Sequence, residues 1–267
     1  MPLEKIDTNV TKVIITDFIK RIVTEADKDG IVFGFSGGLD STVCLYLAVM
    51  ALGKKRVKAL ILPYKESSRD NITDAQNISK AIGVDNTIMD ISPIVDVYFK
   101  ALKINDKIRK GNFLARIRMA IIYDFAKKNN DLVMGTSNKS ERLIGYSTLW
   151  GDSACDFMPI GDLYKTQVNQ LAAFLKVPAK IINKKPSADL WEGQTDEDEI
   201  GCSYEDIDTV LSMVFDKGWG RDWVYAEGCK KEVVDKILEM YSSSKFKRQL
   251  PPFPKIITAN MNNESEL

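Results

Sequence analysis

The chain has 267 residues, 45% of them hydrophobic and 28% charged, which is typical of a globular protein and excludes a disordered one. Lys plus Arg and Asp plus Glu both number 37, so the basic excess of nucleic-acid coats and anionic-membrane binders is missing. No apolar run approaches the roughly 18 residues of a membrane span and the first residues lack signal-peptide features, so we expect a cytoplasmic protein without membrane or nucleic-acid partners.

In the first half of the chain, strand-like apolar runs alternate with helical patterns. Strands are predicted from the short apolar runs at 31–35, 57–64, 86–90 and 131–135. Helices are predicted from spacing and end signals at 8–28, 42–52, 67–83 and 107–128. This alternation is typical of βαβ units and predicts an α/β fold with a mainly parallel sheet flanked by helices.

Beyond residue 135 this regular pattern is lost. Residues 136–163 are rich in Gly, Ser, Asp and Thr without a clear period, and further helices are predicted at 165–176, 204–217 and 229–242. A loop region this long is usually functional or disordered, and its aromatic residues favour function. The acidic run 196–199 is interpreted as a solvated loop rather than a second metal site.

The absence of repeats and of a low-complexity linker predicts a single domain over 1–267. Its parts are expected to be a core at 1–135, active-site loops at 136–203, and C-terminal helices with a tail at 204–267.

The amino-acid inventory limits the chemistry. There is no histidine, which excludes Ser–His and Cys–His nucleophile pairs and His-ligated zinc. The four cysteines show no C-x-x-C spacing and are predicted to be reduced, non-catalytic thiols. Catalysis must therefore use carboxylates, Lys or Arg, hydroxyls, backbone amides or a hard cation.

The strongest motif is Ser36-Gly37-Gly38-Leu39-Asp40-Ser41, between the first predicted strand and the helix that follows it. Two glycines allow a tight turn that brings backbone N–H groups close to a ligand, and the helix start adds unpaired donors. The turn therefore suits a phosphate chain, with Asp40 available for Mg²⁺. It matches neither G-x-x-x-x-G-K-[ST] nor G-x-G-x-x-G.

The motif S-G-G-x-D-S resembles the pyrophosphate loop of the ATP pyrophosphatases, and longer segments narrow the resemblance. The chain resembles the ammonia-dependent NAD synthetase family in the segments GFSGGLDS (34–41), GNFLARIRM (111–119), GTSNKSERLIGYSTLWGDSACDFMPIGDLYKTQ (135–167), KKPSADLWEGQTDEDEIGCSYEDID (184–208) and KRQLPP (247–252). The resemblance implies a Rossmann-like fold of the adenine nucleotide alpha-hydrolase type. It also implies a homodimer that makes NAD from deamido-NAD, ATP and ammonia with Mg²⁺.

The resemblance also implies site residues. Those implied to bind ATP are Gly34, Phe35, Ser36, Gly37, Gly38, Leu39, Asp40, Ser41, Thr136, Lys165 and Ser187. Those on the deamido-NAD side are Arg116, Leu149, Asp156, Phe246 and Lys247. Asp40 and Glu141 are expected to hold Mg²⁺, and Asp152 to lie near the entry of ammonia. The implied catalytic set is Asp40, Glu141, Lys165 and Asp152.

The residues themselves give partial, independent support for these roles. Thr136 follows the fourth predicted strand and so lies at a carboxyl end of the sheet, where open α/β folds bind ligands. Lys165 opens a helix, where a cation is unfavourable unless an anion lies nearby. Arg116 and Arg118 are two apart on a helix and point in different directions, so spacing does not choose between them.

The chain departs from the family pattern at two positions on the acceptor side. The pattern has Lys where this chain has Leu149, and a His-Lys pair where it has Phe246-Lys247. One alternative is therefore a ligase of the same fold that forms an amide or amidine on another carboxylate. A sulfur-transferring tRNA modifier is less favoured, because the net charge is zero and a basic surface is not expected. A non-catalytic nucleotide sensor is also less favoured, because both metal carboxylates, Asp40 and Glu141, are present. The segment 1–30 is too short for a glutaminase domain, so free ammonia or a separate donor subunit is expected.

Overall fold

In the computed structural model of the protein, which describes residues 3–191 and 193–254, a parallel sheet of four strands lies between two layers of helices. The strands are β1 (Gly30–Gly34), β2 (Val57–Ile61), β3 (Asp85–Ile88) and β4 (Asp131–Val133). Their order is β3-β2-β1-β4, and every pairing is parallel. The predicted α/β fold is confirmed.

The first five helices surround this sheet. They are α1 (Thr8–Glu25), α2 (Leu39–Leu52), α3 (Arg69–Ile82), α4 (Ser92–Ala101) and α5 (Lys107–Asn129). Helix α2 begins three residues earlier than predicted, because extended backbone at Gly38 makes this residue the N-cap. Helix α4 was not predicted; Pro93 in its first turn is favourable there, whereas further inside it would break the helix.

The second half of the chain is helical. Its helices are α6 (Lys139–Ile144), α7 (Lys165–Phe174), α8 (Ala179–Ile182), α9 (Asp196–Ile200), α10 (Tyr204–Leu211), α11 (Arg221–Ala226) and α12 (Lys231–Ser243). Within the described part of the chain, no helix combines the length and apolar character needed to cross a membrane. Helices α10 to α12 pack around their own apolar cluster, which includes Ile144 of α6 and Tyr164 at the start of α7. This cluster connects the C-terminal helices to α6 and α7.

The central strand β1 is buried on both faces, as its unbroken apolar run predicts. Ile31 and Phe33 belong to the core shared with α1, α2 and α7. Val32 points to the opposite face and packs in a second core with residues of α4 and α5. The strand therefore delivers the loop that follows it to one fixed place at the sheet edge.

We expect Ile19→Ala to lower the free energy of unfolding by about 2–5 kcal/mol, because Ile19 is fully buried on α1 and truncation leaves a cavity. Ile14→Ala on the same helix is the matched control, since Ile14 is 61% exposed, and should change stability by no more than about 0.5 kcal/mol. Urea unfolding followed by circular dichroism measures both values. Equal effects of the two substitutions would contradict the packing of this face of α1 into the core that it shares with α2 and α7.

Candidate active site

A cavity of about 910 Å³ lies at the carboxyl ends of β1, β2 and β4. Its walls are formed by the loops after these three strands, the start of α7, and residues of the segments 182–191 and 193–205. Parallel α/β sheets bind their ligands at this edge. Segments that are far apart in the sequence therefore converge at the place where a ligand is expected.

The glycine-rich loop between β1 and α2 forms one wall of the cavity. The first N–H groups of α2 have no partner within the helix, so they are free for an anionic ligand. Ser36 and Ser41 hydroxyl oxygens lie 3.1 Å apart, and the Ser41 hydroxyl donates to the Gly38 carbonyl over 3.1 Å. These contacts hold the loop in a turn that exposes its amides.

A lysine that also lines the cavity supports the same loop. Lys184 Nζ donates to the Gly37 carbonyl over 3.3 Å and forms an ion pair with Asp74 Oδ2 at 2.7 Å. It also donates to Asn71 Oδ1 over 2.9 Å. Gly37 has φ +75°, and a Cβ there would overlap the Asn71 carbonyl oxygen. Only glycine therefore fits where α3 packs against the loop.

The most strongly charged part of the cavity is a buried lysine between two carboxylates. Lys165 is 4% exposed, and its Nζ forms an ion pair with Asp40 Oδ2 and lies 3.7 Å from Glu141 Oε1. Asp40 comes from the first turn of α2, Glu141 from α6 and Lys165 from the start of α7. Since a buried ammonium group is costly without partners, this arrangement explains how Lys165 keeps its charge.

Asn138 holds the two carboxylates in place. It is fully buried, and its Nδ2 donates to Asp40 Oδ1 over 3.1 Å. Its Oδ1 accepts from the Glu141 N–H over 3.0 Å, while Glu141 Oε2 accepts from the Asn138 N–H over 3.3 Å. This reciprocal capping box starts α6. Sequence reasoning missed this residue, although the N-x-x-E spacing that signals such a box is present.

The charged groups of this cluster shift one another's pKa values. Burial and the neighbouring Asp40 raise the pKa of Glu141 above its usual range, while Lys165 opposes this shift. Burial lowers the pKa of Lys165, but Asp40 and Glu141 together outweigh burial and raise it. Lys165 therefore stays protonated, and the cluster carries one net negative charge when both carboxylates are ionised.

The acidic run after the site is less exposed than predicted. Asp196 is 5% exposed and accepts hydrogen bonds from the Tyr204 hydroxyl at 3.2 Å and the Tyr146 hydroxyl at 3.1 Å. Burial raises the pKa of Asp196, and Lys165 and both tyrosines oppose the shift. The interpretation of 196–199 as a solvated loop is therefore wrong for Asp196. Asp196, Glu197 and Glu199 all line the cavity, and of these three only Glu199 is exposed.

The sheet-facing side of α5 supplies an arginine to the cavity. Arg118 Nε donates to the Leu62 carbonyl over 3.0 Å, and one Nη lies 3.4 Å from Ser67 Oγ. Burial lowers the pKa of Arg118, and the charges of Asp189 and Asp152 oppose this effect. Neither direct partner is a carboxylate, so the guanidinium can still neutralise an anion in the cavity.

The C-terminal segment closes another side of the cavity. Lys247 Nζ donates to the Gly145 carbonyl over 2.8 Å and to the Ser147 carbonyl over 2.6 Å. Asp152 Oδ1 accepts from the Thr148 N–H over 2.8 Å, and burial raises the pKa of Asp152. Lys247 therefore braces the loop that carries Asp152.

Comparison with known proteins gives the family. The sequence profile of the NAD synthase family matches residues 11–251. The chain belongs to the NAD synthase family. The NH3-dependent NAD+ synthetase of Fusobacterium nucleatum is 41% identical over 256 residues, which cover 95% of this chain and 99% of that protein.

Solved structures of NAD synthase relatives share the fold. The NMN synthetase of Francisella tularensis superposes with a TM-score of 0.84 at 31% identity, covering 94% of this chain and 99% of that one. The NH3-dependent NAD synthetase of Campylobacter jejuni, solved with a nitrate ion, superposes with a TM-score of 0.80 at 31% identity, covering 94% of this chain and 100% of that one.

The structure gathers most of the predicted site residues around the cavity. Among the predicted ATP-binding residues, Gly37 alone does not line it. Those that line it are Gly34, Phe35, Ser36, Gly38, Leu39, Asp40, Ser41, Thr136, Lys165 and Ser187. Glu141, Asp152 and Lys247 line it as well.

Four residues predicted on the deamido-NAD side lie outside the cavity lining: Arg116, Leu149, Asp156 and Phe246. Arg116 is exposed on α5, and its Nε donates to the Leu149 carbonyl over 3.2 Å. Asp156 accepts from the Val133 N–H over 2.7 Å and from the Tyr123 hydroxyl over 3.1 Å. These contacts place three of the four beside the outer face of α5.

We expect Gly37→Ala to weaken the binding of Mg·ATP by about tenfold or more, because the new Cβ displaces the loop from Asn71 and misdirects its amides. Gly218→Ala is the matched control, since Gly218 also has positive φ, at +70°, but has open space around it. Titration calorimetry with Mg·ATP measures both. Unchanged affinity in a folded Gly37→Ala protein would show that the loop does not bind phosphates.

Proposed function

We propose that this chain uses ATP to amidate the nicotinate carboxylate of deamido-NAD with ammonia, which yields NAD, AMP and pyrophosphate. The observation that carries the proposal is the buried Asp40–Lys165–Glu141 cluster beside the glycine-rich helix start. Membership of the NAD synthase family and the similarity to NH3-dependent synthetases over nearly the whole chain support it.

Asp40 and Glu141 fit the requirements of a magnesium site. Both present carboxylate oxygens at the phosphate-binding end of the cavity, and Lys165 neutralises only one of their two charges. Within 3–191 and 193–254 no group of three or more potential ligand side chains is assembled, so phosphate oxygens and water would complete the shell. When bound, Mg²⁺ neutralises phosphate charge as a Lewis acid.

In the first half-reaction, the chain's own groups bind and align the triphosphate. The amides at the start of α2 and the Lys165 ammonium face its oxygens, while Thr136 and Ser187 border the same space. A carboxylate oxygen of deamido-NAD attacks the α-phosphorus, and the bond to pyrophosphate breaks. Positioning and charge neutralisation therefore perform the catalysis, and no side-chain nucleophile is required.

In the second half-reaction, ammonia attacks the carbonyl carbon of the adenylate, and the bond to AMP breaks. The nitrogen loses a proton as the amide forms. Asp152 borders the cavity, and its raised pKa makes this carboxyl a better proton acceptor than an exposed one. We propose that Asp152 lies where ammonia arrives.

The acceptor site is completed by a second copy in this proposal. Arg116, Leu149 and Asp156 lie beside the outer face of α5, and Phe246 is 59% exposed. Val97 of the neighbouring helix α4 is an apolar side chain that is 71% exposed. A homodimer that covers this face would enclose the part of the dinucleotide that extends beyond the cavity. Full activity of a protein that sediments as a monomer would contradict this part.

The cavity is lined by residues of all three predicted segments, 1–135, 136–203 and 204–267, which supports one functional domain. We place its reaction in the cytoplasm, where ATP is available. Four unpaired cysteines agree with a reducing compartment.

The direct test is product formation by the purified chain with Mg·ATP, deamido-NAD and an ammonium salt. We expect NAD and AMP in equal amounts, little NAD with glutamine alone, and rates that rise with pH toward the pKa of ammonium, because only neutral ammonia has a free electron pair. Nicotinate, which lacks the dinucleotide, serves as the control acceptor. Efficient use of glutamine, or AMP formation with ammonia that does not require deamido-NAD, would contradict the proposal.

Asp40→Asn and Glu141→Gln are each expected to lower kcat by about 100-fold or more, since a lost metal carboxylate removes several kcal/mol of charge stabilisation. The control is Asp162→Asn, because the Asp162 side chain is 93% exposed and lies outside the cavity. Steady-state kinetics over a range of Mg²⁺ concentrations measures all three. Near-normal kcat in either variant would show that its carboxylate holds no metal.

A further inference from the structure

One buried carboxylate near the catalytic cluster lies behind the cavity wall, where no ligand reaches it. Asp208 of α10 is fully buried and does not line the cavity. It has no ion pair with a cation among the described residues closer than 4.0 Å, so hydrogen bonds are the direct compensation for its burial, and the charge of Lys165 adds to them from a greater distance. Burial of a carboxylate is energetically unfavourable, so its presence here indicates that Asp208 has a role in the folded protein.

The hydrogen bonds that the Asp208 side chain accepts come from α6 and α7, two of the three helices that carry the catalytic cluster. Oδ2 accepts from both the N–H and the hydroxyl of Thr166, each over 2.8 Å. Oδ1 accepts from the Ser140 hydroxyl. Ser140 Oγ in turn accepts from the N–H of Lys165 over 2.9 Å.

These contacts cap α7 from a neighbouring helix. Lys165 and Thr166 are the first two residues of α7, and their N–H groups have no partner within the helix. The N-cap residue is Tyr164, whose side chain makes no cap hydrogen bond. Lys165 also places a cation at the positive end of the helix dipole. Asp208 accepts directly from the Thr166 N–H, holds the Ser140 hydroxyl that accepts from the Lys165 N–H, and places a negative charge at this end of the helix.

The same contacts align the two catalytic side chains. Ser140 directly precedes Glu141, and Thr166 directly follows Lys165. Asp208 thus links the backbone on either side of the 3.7 Å contact between Lys165 Nζ and Glu141 Oε1. We propose that Asp208 is a positioning residue that sets where Lys165 meets the triphosphate and Glu141, an inference that rests on the proposed function.

Asp208→Asn is the sharpest test. The amide oxygen can still accept from Thr166, so the fold is expected to persist, but an NH₂ group replaces the acceptor of the Ser140 hydroxyl. Asp206→Asn is the matched control two residues away, because Asp206 is exposed and bonds only within its own helix start. Ser140→Ala is the second variant, since it removes the link to Lys165 and leaves Asp208 bound to Thr166.

The readouts are kcat, the KM values for both substrates, and the affinity for Mg·ATP without acceptor. We expect Asp208→Asn to lower kcat by about tenfold or more and to weaken Mg·ATP binding by about fivefold or more, with the KM for deamido-NAD unchanged. Ser140→Ala should shift the same values in the same direction by less. Asp206→Asn should stay within about twofold of the parent chain.

A purely structural role would lower the folded fraction and leave the constants of the folded molecules unchanged. Unchanged kcat and Mg·ATP affinity in folded Asp208→Asn, or in Ser140→Ala if the first variant does not fold, would overturn the inference. Failure of the parent chain to make NAD would instead refute the proposed function. The Mg·ATP affinities of the same proteins, which need no acceptor, would then still decide the role of Asp208.

Discussion

The burial of one ammonium group, that of Lys165, governs the arrangement of the site. An isolated charge in this position would be strongly unfavourable, so the fold must bring Asp40 and Glu141 to it. The three residues come from the first turns of α2, α6 and α7, and all three line the cavity at the carboxyl edge of the sheet. Their shared geometry therefore depends on correct packing of the sheet, of α6 and of the C-terminal helices.

The same constraint supports the proposed binding of ATP together with a divalent cation. When both are ionised, the carboxylates of Asp40 and Glu141 outweigh the one charge of Lys165 and leave an excess negative charge on this side of the site. On other sides, the amides of the glycine-rich loop and the Arg118 guanidinium provide positive potential. A ligand that carries both anionic phosphates and a bound cation satisfies both sides, whereas a simple anion or a simple cation satisfies only one.

Sequence patterns predicted the sheet and its neighbouring helices because buried strands and amphipathic helices leave long, regular signals. They missed α6, which has six residues and is defined by the capping pair Asn138 and Glu141 rather than by a hydrophobic period. Spacing alone did not choose between Arg116 and Arg118, and the packing of α5 places only Arg118 at the cavity. Asp208 was not singled out, since its partners are distant in sequence and meet only in the folded chain.

The central claim is that the chain activates the nicotinate carboxylate by joining it to the α-phosphorus of ATP. Deamido-NAD labelled with ¹⁸O in both carboxylate oxygens tests this directly, with AMP and NAD analysed by mass spectrometry after turnover with ammonia. The account predicts one ¹⁸O atom in AMP, one in the amide of NAD, and none in pyrophosphate. The account would be contradicted if AMP carried no ¹⁸O while NAD was formed, or if ¹⁸O appeared in pyrophosphate.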